Sequence, residues 1–157
     1  MTTIAYRDGV LAADTRATSG DVIVGSSALK IAKRGRVMAA ASGTSAYARR
    51  FMDWFRSGMK GDPPPSIDPN DHDTFCWGLL VTGDDRRVLL QQPGWIVERG
   101  PYFAMGSGRD FALGAMAAGA SAEEAVRAAI AHDVYSGGEV VTLRIQADTR
   151  PLLKPVS

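Results

Sequence analysis

Two hydroxyl side chains, Thr2 and Thr3, stand directly behind Met1. A threonine hydroxyl attacks a carbonyl carbon only when a base removes its proton. The first residues of a chain are usually loose, so a nucleophile at this place must also be held in position. The sequence therefore raises two questions: what fixes Thr2, and what could activate it.

Other polar residues and glycines that can do chemistry lie far apart in short, recognisable elements. They are Asp14 in "AADT", Lys30 in "SSALKI", Gly43 in "AASGTSA", Ser107 in "GSG", and Asp133 with Ser136 in "HDVYSGG". Each has an ordinary interpretation when taken alone. A lysine in a strand is usually a solvated charge, and paired glycines after a helix usually form a C-cap. Only the whole set, in one order, is a functional signal.

Cysteine and histidine chemistry is not indicated. Cys76 lies in the apolar run "FCWGLLV", which predicts a buried, inert thiol. His72 and His132 are isolated from each other and from Cys76, and this spacing matches no zinc pattern. We therefore expect neither a metal nor a cofactor.

Length and composition narrow the class of protein. The 157 residues predict a single domain over 1–157, and 45% hydrophobic residues with a net charge of +1 are typical of a globular protein. No basic block indicates nucleic-acid binding. No leader and no membrane-spanning apolar stretch is evident, so we expect a cytoplasmic protein without membrane contact.

The first residues predict a hairpin that would fix Thr2. Ile4 and Tyr6 alternate with smaller or more polar residues, and Asp8-Gly9 is a strong signal for a two-residue turn before an apolar return at 10–12. Residues 21–42 predict two further strands, joined by a turn at 34–36.

The pattern then changes to a helical period. The stripe Tyr47, Phe51, Phe55 and Met59 predicts a helix that packs on a sheet and stops at Gly61. A proline-rich loop is expected over 62–73. The stripe is broader than one sheet face needs once Trp54 is counted, so we expect part of it to contact a neighbouring subunit.

Three or four strands are expected over 74–106, followed by two helices over 109–119 and 121–135. Ser121 and Glu124 form a predicted capping box, and Gly137-Gly138 is expected to end the second helix. A last strand over 139–145 precedes a C-terminal extension at 147–157. Runs of strands alternating with runs of helices predict an α+β fold.

Thr2 and the spaced elements together resemble the proteasome β-subunit family, from Thr2 to about Ile145. That family includes HslV-type peptidases and small bacterial and phage homologues. The resemblance implies the four-layer αββα sandwich of N-terminal-nucleophile hydrolases and a threonine peptidase without a cofactor. It also implies a homo-oligomeric stacked ring that takes polypeptide substrates, with an ATP-dependent unfoldase as a candidate partner.

The resemblance also implies roles for the residues. After removal of Met1, the α-amine of Thr2 would accept the proton of the Thr2 hydroxyl. Lys30 would lower the hydroxyl pKa, and Asp14 would hold Lys30 charged. Ser136 and Asp133 would orient the amine, with Ser107 close by.

Gly43 would donate its backbone N–H to the oxyanion. The substrate pocket would be lined by small, uncharged residues and would take an apolar side chain. These residues are Ala17, Ala28, Ala41 and Ser45.

Two features depart from the family pattern. A second long helix is shortened or lost in the region of the proline-rich loop, and Met1, if retained, makes the Thr2 nitrogen an amide that cannot act as a base. Two alternatives therefore stay open: a catalytically silent ring that serves as a scaffold or binding shell, and a small-molecule amidohydrolase on the same fold.

Overall fold

The structure, a computed structural model, describes residues 1–83, 85–89 and 94–145. Twelve strands and three helices lie in this part of the chain. The strands are β1 (Thr3–Arg7), β2 (Val10–Asp14), β3 (Ala17–Ser19), β4 (Val22–Gly25), β5 (Ile31–Arg34), β6 (Val37–Gly43), β7 (Ile67–Asp68), β8 (Asp71–Thr82), β9 (Asp85–Leu89), β10 (Trp95–Glu98), β11 (Tyr102–Gly106) and β12 (Val140–Arg144). The helices are α1 (Ser45–Arg56), α2 (Arg109–Ala117) and α3 (Ala122–His132).

Two antiparallel sheets form the middle of the molecule. One has the strand order β11-β1-β2-β12, and the other has the order β10-β9-β8-β6-β5 with β7 paired to β8. Period-two alternation explains the stacking: Ile4 and Tyr6 point into the apolar core between the sheets, whereas Ala5 faces the opposite side.

Helices cover the outer faces of both sheets. The small residues Ala5 and Ala12 pack beneath α2 and α3, and the larger Phe51 and Phe55 of α1 cover the other sheet. The layers are therefore helices, sheet, sheet and helix, and the chain is an α+β protein with the predicted αββα sandwich.

Helix α1 ends earlier than predicted, at Arg56 rather than near Gly61. Gly58 has a φ of 107°, its N–H donates to the carbonyl of Phe55, and the N–H of Met59 donates to the carbonyl of Trp54. These two bonds form a Schellman motif, which stops the helix. Predicting the stop at Gly61 was therefore wrong by about one turn.

Helix α3 begins as predicted, with both hydrogen bonds of the Ser121–Glu124 capping box formed. It ends at His132, five residues before Gly137, so the expectation that Gly137-Gly138 ends it was wrong. Asp133 leaves the helical conformation, and its carboxylate accepts from the N–H of Tyr135. An aspartate side chain that bonds the backbone two residues on favours a turn over another helical residue.

Two more features differ from the sequence-based expectations. A ribbon of β3 and β4 precedes β5, and the segment 62–73 includes β7 and the first residues of β8. Trp54 stacks with Trp95 at 6.4 Å between ring centroids, and the expected contact of the aromatic stripe with a neighbouring subunit stays a prediction. The C-terminal extension predicted at 147–157 lies outside the described residues.

Candidate active site

The β1–β2 hairpin fixes the start of the chain. Asp8 and Gly9 both have positive φ, 50° and 77°, as a tight hairpin turn with matched strand twist requires. Ile4 pairs with Ala13, so Thr3 lies opposite Asp14. Thr2 is 3% exposed and Thr3 is fully buried. The sheet therefore holds the segment that begins at Thr2 in place.

The carboxylate of Asp14 is the organising group of the site. Its Oδ1 accepts from the hydroxyl of Thr2 at 2.6 Å and from the ammonium of Lys30 at 2.8 Å. Three backbone N–H groups complete its shell: those of Thr3 at 3.0 Å, Arg16 at 3.2 Å and Gly137 at 3.0 Å. The Asp14 side chain is fully buried. Five donors on a buried carboxylate leave it one orientation.

Lys30 reaches this carboxylate from the residue before β5. Its side chain is 11% exposed, and its Nζ also donates to the carbonyl oxygen of Met1 at 3.4 Å. Burial lowers the pKa of the Lys30 ammonium, and the charge of Asp14 opposes that shift. Because Thr2 and Lys30 bind the same oxygen of Asp14, the hydroxyl and the ammonium are neighbours.

A second polar network holds the Thr2–Thr3 segment from the α2–α3 side. Oδ2 of Asp133 accepts from Ser107 Oγ at 2.7 Å and from Ser136 Oγ at 2.6 Å. The single hydroxyl hydrogen of Ser107 can alternatively bond the carbonyl oxygen of Thr2, which lies 3.2 Å from Ser107 Oγ, and Ser136 Oγ lies 2.6 Å from the hydroxyl of Thr3. The three predicted residues therefore meet the backbone of Thr2 and the side chain of Thr3.

Gly43 lies where β6 turns into α1, with a φ of 117°. A side chain there would collide with the carbonyl oxygen of Phe75, so only glycine fits this turn. Thr44, which follows, is the N-cap of α1 and donates its N–H to the same Phe75 carbonyl at 2.7 Å. Glycine at this position is thus required by backbone geometry.

A cavity of about 530 Å³ opens beside Thr2, Lys30 and Gly43. All four predicted pocket residues line it, namely Ala17, Ala28, Ala41 and Ser45. Four charged residues also line the cavity and were not predicted from the sequence: Arg16, Arg49, Asp53 and Arg56. Three of them lie at positions i, i+4 and i+7 of α1, a spacing that marks one helix face.

Met1 is attached to Thr2 and occupies the mouth of this cavity, with 54% of its surface exposed. Burial lowers the pKa of its terminal amine, and the positive charge of Lys30 lowers it further, whereas Asp14 and Asp133 act in the opposite direction. The site thus disfavours a protonated amine.

Residues expected to be uninvolved lie elsewhere. His72 and His132 are exposed, and His132 stacks on Phe111. Cys76 is 1% exposed beneath α1, and burial raises its pKa to about 11. Over residues 1–83, 85–89 and 94–145 no cluster of three or more histidine, cysteine or acidic side chains could hold a metal ion. In the same ranges no helix is long and apolar enough to cross a membrane.

By sequence, no family model and no curated protein matches the chain. Its fold, however, is that of solved proteasome-type structures. It is similar to eukaryotic HslV from Trypanosoma brucei, at a TM-score of 0.68 and 20% identity over 91% of this chain and 98% of that one. It is also similar to BPH, a bacterial proteasome homologue from Thiobacillus denitrificans.

The BPH structure in complex with epoxomicin gives a TM-score of 0.65 and 22% identity over 93% of this chain and 99% of that one. The BPH structure without that compound gives a TM-score of 0.65 and 21% identity over 94% of this chain and 99% of that one. The resemblance inferred from the motifs is therefore confirmed at the level of the fold, which is the fold of proteasome-type peptidases.

Proposed function

We propose that the chain is a threonine-type endopeptidase, with Thr2 as an N-terminal nucleophile once Met1 has been removed. Its substrates are unfolded polypeptides, and it acts inside a homo-oligomeric ring. The observation that carries the proposal is the shared oxygen: Oδ1 of Asp14 binds both the Thr2 hydroxyl and the Lys30 ammonium, at 2.6 and 2.8 Å, beside a substrate-sized cavity.

The proton acceptor in this proposal is the α-amine that removal of Met1 would create on Thr2. An amine accepts a proton only in its neutral form, and the causes that lower the pKa of the Met1 amine are burial and Lys30. We expect both to act on an amine at Thr2, which would then have a larger neutral fraction than an ordinary α-amine.

The reaction steps follow from these positions. The Thr2 oxygen forms a bond to the peptide carbonyl carbon while its proton moves to the α-amine. Charge on the carbonyl oxygen is stabilised by the backbone N–H of Gly43. The C–N bond then breaks, the amine returns the proton to the leaving nitrogen, and an ester remains on Thr2. Water attacks that ester with the same amine as base and restores the hydroxyl.

Lys30 and Asp14 have different electrostatic roles in the proposed mechanism. The ammonium lies next to the Thr2 hydroxyl and stabilises the developing alkoxide, while Asp14 keeps the ammonium charged and in place. Ser107, Ser136 and Asp133 hold the Thr2–Thr3 backbone so that the terminal nitrogen keeps a fixed direction.

Self-assembly is the part of the proposal that depends most on resemblance. The fold is shared with HslV and BPH, and enclosure in a ring would restrict cleavage to chains that can enter it. Light scattering at working concentration should give a multiple of the 16.7 kDa chain mass. A monomeric mass would contradict the proposed ring but would not contradict the proposed peptidase activity.

The direct test of the peptidase is cleavage of a fluorogenic peptide by protein whose intact mass shows that Met1 is gone. Thr2→Ala should abolish cleavage, whereas Thr2→Ser should retain a measurable fraction because a hydroxyl and an amine are both kept. Unchanged cleavage by Thr2→Ala would refute Thr2 as the nucleophile.

A further inference from the structure

Helix α1 contributes a charged wall to the cavity beside Thr2. Arg49, Asp53 and Arg56 lie on one face of this helix and line the cavity together with Thr2 and Gly43. A substrate whose carbonyl carbon is bonded to Thr2 would place a side chain of the same residue against this wall. The charges on this wall can therefore determine which substrate side chains bind in the cavity.

The wall charges are not all compensated. Arg56 lies 3.6 Å from Asp53, and the ammonium of Lys30 is bound to Asp14. Arg49 is exposed, and among the described residues no carboxylate or other hydrogen-bond partner contacts its guanidinium. Arg49 is therefore a cation that faces the cavity without an anion bound to it.

Arg16 adds to this excess of positive charge. One of its terminal nitrogens donates to the carbonyl of Val134 at 3.2 Å, and its Nε is buried without a hydrogen-bond partner. A side chain at Gly137 would collide with its guanidinium, so the glycine leaves room for that group. Over the described residues, the cavity is lined by four cations and by the single carboxylate of Asp53.

We propose that this cavity takes an acidic side chain, glutamate or aspartate, of the residue whose carbonyl is attacked, with Arg49 as its counter-charge. The inference rests on the proposed peptidase and names its substrate class. It replaces the expectation of an apolar side chain, which came from the four small residues alone. A guanidinium binds a carboxylate through two parallel hydrogen bonds, a geometry that an ammonium or an amide does not reproduce.

Asp53 is the residue that would favour the opposite choice. Its carboxylate could attract a basic side chain, but it is shared with Arg56. Arg49 has no such competitor, and the charges of Lys30 and Arg16 add to its field. The balance of the wall therefore favours an anion.

The test compares four peptides that differ only in the residue before the cleaved bond: glutamate, glutamine, leucine and lysine. Glutamate and glutamine have the same shape, so their ratio of kcat/KM isolates the effect of charge. We expect wild-type protein to prefer glutamate over glutamine by about fivefold to tenfold, the range for a charge-assisted contact in a partly exposed site. The ratio should fall as salt rises, because an exposed guanidinium is screened.

The variant Arg49→Gln should bring this ratio to about one. Arg50→Gln is the matched control. Arg50 is the next residue of α1, is also exposed, lies with its guanidinium 5.1 Å from the ring of Tyr47, and does not line the cavity. The Arg50→Gln variant should show the same glutamate-to-glutamine ratio of kcat/KM as the wild type.

The outcomes separate this inference from the proposed function. Equal cleavage of the glutamate and glutamine peptides, a preference for leucine or lysine, or an unaltered ratio in Arg49→Gln would overturn the acidic specificity while leaving the peptidase intact. No cleavage of any of the four peptides, with Thr2 unreactive toward an epoxyketone, would overturn the proposed function and this inference with it.

Discussion

The two sides of the candidate site are built in opposite ways. On the sheet side, Thr2, Asp14 and Lys30 are largely buried, and every charge is paired. On the side of α1, Arg49 and Asp53 are exposed, and Arg49 has no anion against it. Rigid pairing favours a reaction that needs fixed geometry, whereas exposed charge favours recognition that adapts to a ligand. We therefore propose that the sheet side carries out the chemistry and that the helix side selects the substrate.

The largest effect is expected on the sheet side. Lys30→Ala should lower kcat/KM by about 10²-fold or more, because the hydroxyl loses the charge that stabilises its deprotonated form. The fold and the assembly should survive, since Asp14 keeps four other donors. Peptide cleavage and circular dichroism of the same sample check both statements. A normal rate in this variant would show that the ammonium is not part of the mechanism.

Asp14→Ala should affect stability more than Lys30→Ala does. It leaves the backbone N–H groups of Thr3, Arg16 and Gly137 without their acceptor, and each such loss costs about 1–3 kcal/mol. We expect the free energy of unfolding, measured in urea, to be about 3 kcal/mol or more below that of the wild type in Asp14→Ala. The loss in Lys30→Ala should be smaller. Equal losses in the two variants would contradict the central place given to this carboxylate.

The pH dependence tests the same buried charge. The Lys30 ammonium is lost as pH rises through its pKa, and burial lowers that pKa. The alkaline fall of kcat/KM should therefore begin at a lower pH than an ordinary lysine would give. Lys30→Arg is the control, because a guanidinium does not titrate in this range and its residual activity should lack that fall. A profile that is the same in both proteins would assign the titration to another group.

The smallest effect concerns the packing beneath α1. Cys76 is buried there, and its pKa is raised to about 11, so little thiolate forms at neutral pH. Iodoacetamide should leave native protein unlabelled at pH 7 and label it after denaturation. Rapid labelling of the native protein would mean that α1 lifts from the sheet, and the helix side would then be looser than its exposed charges alone indicate.

Local signals in the sequence predicted much of the fold. The Asp8-Gly9 turn and the Ser121–Glu124 box depend on neighbouring residues only, and both occur where expected. The ribbon of β3 and β4 could not be predicted from burial, because Val22 and Val24 are 64% exposed and show no alternation against a core. The early end of α1 was missed because the aromatic stripe continues to Met59, beyond the glycine at 58 that stops the helix.

The candidate site divides in the same way. The residues on its sheet side could be predicted from short sequence elements in a fixed order. The structure brings the side chains of Thr2 and Lys30 within hydrogen-bond distance of the Asp14 carboxylate. The charged wall was not predicted because the periodic signal that identifies α1 comes from its apolar face. Whether the polar face of a helix borders solvent or a cavity depends on the position of distant strands, and no local pattern records it.

In the proposed mechanism, Thr2 becomes the terminal residue and reacts through both its hydroxyl and its amine. An epoxyketone carries two adjacent electrophiles, so a residue with both groups can bond to both. Intact mass spectrometry before and after treatment, followed by peptide mapping, measures this directly. We predict a chain without Met1 and one adduct on Thr2. A competent, peptide-cleaving sample that retains Met1, or that carries its adduct on another residue, would contradict it.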